Sequence, residues 1–172
     1  MCGQNKLVKI CGTSTGKLKH RIKCYTDCIT ALELSPDGSL LASGDRNGGI
    51  DVWEAESGGI LFTLGGHKDC ITGLSWWADS QVLASASEDG RVILWSAEDG
   101  FPVRLLNAHA ADARAVGGGA SPRGSAAPGV LSLAYARQGH LVTTGRDLSA
   151  WVWKPDGSPL AKLEGFSLSS NS

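Results

Sequence analysis

Four side chains have the types and spacing to do chemistry together: His67, Ser85, Asp89 and Trp95. A histidine, a hydroxyl and a carboxylate are the parts of a nucleophilic triad, in which the imidazole takes the serine proton and the carboxylate orients the imidazole. Hydrolases of the elbow type lift that serine on a strained strand-to-helix turn. No Gly-x-Ser-x-Gly sequence surrounds Ser85, which stands inside the aliphatic run 82–86. With an indole added, the same groups suit another task. A buried indole N–H needs an acceptor, and a carboxylate at a turn fixes the tautomer of a histidine beside it. Hydrogen bonding among the four is chemically sound, and without the elbow context no catalytic residue is expected.

The cysteines give less. They stand at positions 2, 11, 24, 28 and 70, with no Cys-x-x-Cys pair and no Cys-x-x-Cys-His haem attachment site. Cys24 and Cys28 have the spacing of a metal pair but lack further partners. Small apolar residues at strand starts are the expectation, with no metal and no cofactor.

The elements that must hold the four residues are short strands. Runs 82–86 and 91–95 flank Ser87-Glu88-Asp89-Gly90, a strand–turn–strand pattern in which Asp-Gly supplies a positive φ. A third run, 70–77, precedes them and ends at Ala78-Asp79-Ser80. Displaced by 42 residues the pattern recurs: Asp27, Ile29, Leu32, Asp37, Leu41, Ala42, Ser43, Gly48 and Trp53 fall under Asp69, Ile71, Leu74, Asp79, Leu83, Ala84, Ser85, Gly90 and Trp95. A period in the low forties, opened by Gly66-His67 and closed by Trp95, is the spacing of a propeller blade.

On these residues, with Ser35-Pro36-Asp37-Gly38, Leu41-Ala42-Ser43-Gly44, Leu83-Ala84-Ser85-Ala86-Ser87 and Trp153, the sequence resembles the WD-repeat β-propellers over roughly 6–166. Gly44-Asp45-Arg46-Asn47-Gly48-Gly49 also looks like repeats of large bacterial WD-repeat proteins, some of which carry a c-type haem module. The resemblance implies an all-β fold: a propeller segment of three full four-stranded blades plus a half blade. It also implies that His67, Ser85, Asp89 and Trp95 form a structural tetrad within a blade. Partial tetrads are expected at Ser43 and Trp53, where Tyr25 and Asn47 replace the His and Asp, and at His109, Thr143, Asp147 and Trp153. Phe166 stands where a further His would lead into another blade.

Taken in order, residues 1–27 supply the outer two strands of a partial blade, with Cys11 where later repeats have Trp. Basic residues at 17, 19, 21 and 23 line one face of the second of these strands. Lysines on an outer strand discourage edge-to-edge pairing, and a dock for an acidic partner is the alternative. Blade one spans 28–65 and blade two 66–109. Residues 110–129, almost wholly Ala, Gly, Ser, Pro and Arg, read as a flexible insertion with too little apolar bulk to order. Blade three spans 130–166, and 167–172 form a tail. Propellers close with about four to eight blades, so no closed ring is expected within this chain. The remaining blades would come from a longer chain or from self-association.

Function follows from what is left. The formal net charge is −1, no apolar run has the length of a membrane span, and no export signal stands at the N-terminus. No nucleic acid or membrane partner is expected, and the compartment defaults to the cytoplasm. The resemblance implies a non-catalytic interaction scaffold that docks a protein or peptide on its top-face loops. There the candidate binding residues are Arg46, Glu88 and Arg146 at hairpin tips and Asp27 and Asp69 at strand starts. The alternatives are a segment of a larger redox or hydrolytic enzyme encoded elsewhere, or a truncated fragment without function. Of the adjacent Trp76 and Trp77, one should face out of the blade core.

Overall fold

Runs of five or six aliphatic and β-branched residues, each cut off by a turn, dictate strands too short to bury much alone. The computed structural model describes residues 7–11, 18–23, 28–107, 109, 129–136 and 138–164. The expectations for Asp27, for the insertion before Gly129 and for the tail beyond Glu164 fall outside these residues, as do the side chains of 19–23 with the basic face expected there. The described residues form strands and no helix.

A two-stranded hairpin comes first, β1 (Leu7–Cys11) and β2 (Leu18–Lys23). Three antiparallel sheets of four strands follow, each a meander in chain order. Blade one holds β3 (Ile29–Leu34), β4 (Leu40–Asp45), β5 (Ile50–Glu54) and β6 (Ile60–Leu64). Blade two holds β7 (Ile71–Trp76), β8 (Val82–Ser87), β9 (Val92–Ser96) and β10 (Pro102–Leu106). Blade three holds β11 (Val130–Tyr135), β12 (Leu141–Gly145), β13 (Ser149–Trp153) and β14 (Pro159–Glu164). This is the all-β, four-stranded blade architecture, and the sheets do not close into a ring. The β8–β9 turn has the expected positive φ, +82° at Gly90. Blade three has Leu148 in the same place at φ +59°, a left-handed conformation that costs a branched side chain about 1 kcal/mol.

The core lies between blades. One cluster joins Ala42, Ile50, Val52 and Leu64 of blade one to Ile71, Leu74, Trp76, Leu83, Ile93 and Trp95 of blade two. A second joins Ala84, Ala86, Val92, Leu94 and Leu106 to Val130, Leu133, Leu141 and Trp153 of blade three. Burying a side chain the size of Ile71, with no exposed surface, contributes about 2 kcal/mol. Threonines latch the blades at the strand starts. Thr30 Oγ1 donates to the Ile71 carbonyl at 2.6 Å, and Thr72 Oγ1 to the Val130 carbonyl at 2.7 Å. Blade three has Leu131 at this position. Its outward face is also bare: Leu163 is 52% exposed, where the equivalent Leu64 and Leu106 are each 4% exposed under the next blade. Of the tryptophan pair, Trp76 is in the core and Trp77 is half-buried.

Candidate functional site

Strand register brings the four residues of blade two together. Ser85 on β8 faces Ile93 on β9, and Leu83 faces Trp95, so the indole folds back along its own hairpin. Trp95 Nε1–H donates to Ser85 Oγ at 2.8 Å. His67 Nε2 lies 2.8 Å from the same oxygen, and His67 Nδ1 lies 3.1 Å from Asp89 Oδ2. An indole only donates and an ionised carboxylate only accepts. The neutral imidazole therefore carries its proton on Nδ1 toward Asp89, and Ser85 O–H donates to Nε2. The hydroxyl also lies 3.3 Å from the Ile93 carbonyl, a second acceptor. Ser85 has no exposed surface and His67 is 8% exposed. A nucleophile here has no room for a substrate.

Asp89 does double duty. Burial raises its carboxyl pKa, but hydrogen bonds from His67, the Lys68 N–H and the Arg91 N–H outweigh that and hold it below the ordinary carboxylate value. Asp147 behaves in the same way under His109 and Ser149. A carboxylate whose pKa is depressed on folding contributes stability above its unfolded pKa and loses it as pH falls through the folded value. Wild-type stability is thus expected to drop on acidification through and below the ordinary carboxylate range. Asp89→Asn should be less stable at neutral pH and show a shallower acid drop, measured as urea midpoints against pH. Parallel curves for the two proteins would remove Asp89 from the linkage.

Blade three carries the same arrangement despite the long sequence separation of its histidine. His109, 1% exposed, places Nδ1 at 2.9 and 3.0 Å from the Asp147 carboxylate oxygens and Nε2 at 3.2 Å from Thr143 Oγ1. Trp153 Nε1–H donates to Thr143 Oγ1 at 3.1 Å. Ser149, unnoticed in the sequence, donates from Oγ to Asp147 Oδ2 at 2.8 Å and completes the cluster. In blade one Trp53 Nε1–H donates to Ser43 Oγ at 2.9 Å, and the Ser43 O–H donates to the Asp51 carbonyl at 3.4 Å. Here the turn carboxylate has moved. Asp45 Oδ1 accepts from the Asn47 and Gly49 N–H groups, at 2.9 and 2.8 Å, two positions upstream of the residue expected to do so. Asp51, 7% exposed, is a further carboxyl that sequence reasoning missed: burial pushes it up while Thr63 Oγ1 donates to it at 2.9 Å.

The candidate binding residues sit on the turns that these networks anchor. The Arg46, Glu88 and Arg146 N–H groups donate to the Cys28, Cys70 and Gly129 carbonyls, so one backbone bond holds each tip over the start of its blade. Arg146 and Glu88 make an ion pair of 2.6 Å across the blade boundary, and Arg46 and Asp69 are exposed. Cys28 and Cys70 are half-buried and Cys11 exposed, all without disulfides. Among the described residues, no three His, Cys, Asp or Glu side chains are grouped to hold a metal ion.

Four-stranded meander sheets packed face to face, each with an indole anchored on a hydroxyl, define a segment of a β-propeller. The family model described as WD domain, G-beta repeat matches residues 16–54 and 58–96. Residues 16–54 and 58–96 are thus WD repeats. Among curated relatives, Cross-pathway control WD-repeat protein 2 of Flammulina velutipes is 38% identical over 63 residues, 37% of this chain and 20% of the relative. Small ribosomal subunit protein RACK1 of Caenorhabditis elegans is 35% identical over 65 residues, 38% of this chain and 20% of the relative. Of solved structures, that of U3-55K superposes with a TM-score of 0.78 at 28% identity, covering 96% of this chain and 48% of the other. The RRP9 WD40 repeats give 0.77 at 28% identity, covering 95% and 46%. The chain thus spans a fifth of the curated relatives and about half of each solved propeller.

Proposed function

We propose that this chain is a non-catalytic interaction scaffold whose blades hold a protein or peptide partner on the charged hairpin tips. WD-repeat proteins are generally protein-interaction scaffolds. One observation carries the reading: Arg46, Glu88 and Arg146 are set by the same N–H to carbonyl bond in three successive blades. Rigidly spaced exposed groups on anchored turns recognise a partner at low ordering cost. The Ser–His–Asp sets, by contrast, are spent inside the blades. The partner-facing residues are Arg46, Glu88, Arg146 and Asp69, and Asp27 joins them on the repeat register alone. Blade units of 28–65, 66–109 and 130–166 follow the repeat, and further blades pack on the bare face that carries Leu131 and Leu163.

Arg46→Glu combined with Arg146→Glu is expected to weaken partner binding by about a hundredfold, since each tip contributes a charge-assisted contact. The test is affinity capture from the source organism, followed by titration of the captured protein against wild type and variant. Equal affinities, with unchanged thermal unfolding, would move the docking surface elsewhere.

A further inference from the structure

The repeat predicts that each blade boundary should be filled alike at the end opposite the hairpin tips, and the two boundaries differ. Between blades one and two, Trp76 ends β7, is 5% exposed, and donates its indole N–H across the boundary to the Glu33 carbonyl at 3.3 Å. Above it, Phe62 on β6 lies against Gly100 in the turn of the next blade. Between blades two and three the same positions are Tyr135 and Arg104. Arg104 lies against Gly157, the equivalent turn glycine, so a guanidinium replaces a phenyl ring. Tyr135 is too short to close the gap, and its buried hydroxyl finds no hydrogen-bond partner among the described residues. A cavity of about 280 Å³ is left, walled by Trp77, Val82, Leu94 and Tyr135 and opening beside Val103 and Arg104.

Its chemistry is specific. The Trp77 and Tyr135 rings meet edge to face with centroids 5.3 Å apart, which gives an aromatic wall already in place. Arg104 is exposed and makes no ion pair among the described residues. Asp156, next to the Gly157 on which Arg104 packs, holds its carboxylate on the Ser158 N–H at 2.7 Å and also feels the Arg104 charge, so an incoming acid shares this guanidinium with it. The volume takes one large side chain, below the range typical of whole small-molecule sites.

We infer that this inter-blade cavity is a second docking site, for a peptide that inserts one bulky apolar side chain and sets a neighbouring carboxylate on Arg104. It lies at the end of the blades away from the charged tips and is independent of what they bind. The apolar side chain supplies contact area against Trp77 and Tyr135, and the guanidinium fork sets the direction of the peptide by accepting only an acidic neighbour.

The test uses the 172-residue chain and two probes, acetyl-Phe-Glu-amide and acetyl-Phe-Lys-amide, titrated while the Trp77 indole and Arg104 amide are followed by NMR. Saturable shifts at both groups are expected, with the acidic peptide bound about tenfold more tightly. Arg104→Glu, on an exposed strand position, should reverse the preference. Tyr135→Trp should fill the cavity as Trp76 fills its own, aim its indole N–H at the Ser75 carbonyl, and weaken both probes about tenfold or more. No saturable shift up to about 10 mM, an affinity too weak for a built site, would overturn the inference. So would equal binding of the two peptides, or an Arg104→Glu chain that keeps the wild-type preference.

Discussion

Ser85→Ala is expected to lower the unfolding free energy by about 3 kcal/mol, measured as the urea midpoint at constant slope. The hydroxyl is the meeting point of blade two: it accepts from Trp95 and sits against His67, both at 2.8 Å. Removing it strands a buried indole donor and a buried imidazole nitrogen together, and each unsatisfied group costs about 1–3 kcal/mol. No water can replace it without a cavity, since Ser85, Leu83 and Ala84 are at most 1% exposed. Ser43→Ala in blade one should cost less, about 1–2 kcal/mol, because there the hydroxyl serves Trp53 and a long bond to the Asp51 carbonyl. If the two variants lose the same stability, the imidazole contributes nothing to the brace.

Gly145→Ala is the second large effect, a loss of about 3 kcal/mol or more in the same measurement. A methyl group at Gly145 would fall on the His109 ring and come within 2.8 Å of Asp147 Oδ1. The ring is 1% exposed and held from both nitrogens, so it has nowhere to move. Either the histidine leaves the blade, exposing Thr143 and Trp153, or the β12–β13 turn shifts and drags the Arg146 tip with it. Gly65→Ala, where a methyl group meets nothing within 4 Å, is the matched control and should be nearly neutral. A neutral Gly145→Ala would mean that His109 does not occupy this position in solution.

Much of this was legible in the residues. The 42-residue displacement set strand order and turn positions, because a blade needs hydrophobic alternation and tight turns at fixed intervals. The blade-two brace was legible for the same reason: its four members occupy fixed positions in that interval. What escaped were exchanges between neighbours in space. Asp45 accepts the turn amides of Asn47 and Gly49, and only the turn geometry shows that a carboxylate two positions before Asn47 reaches them. Leu148 stands where Gly48 and Gly90 take positive φ, so the strain is set by the turn and not by the local sequence. The cavity beside Tyr135 was invisible because it depends on which side chains of two different blades meet, Trp77 with Tyr135 and Arg104 with Gly157.

The claim that the buried serine, histidine and indole form one structural brace is tested most directly by a double-mutant cycle between Ser85→Ala and Trp95→Phe. Phe removes the indole donor and keeps one aromatic ring. If the two groups are bonded as in the structure, Trp95→Phe costs much less once Ser85 is gone, and the losses fall short of additivity by about 1 kcal/mol or more. Losses that add within about 0.3 kcal/mol would contradict it, since groups without a shared bond are independent.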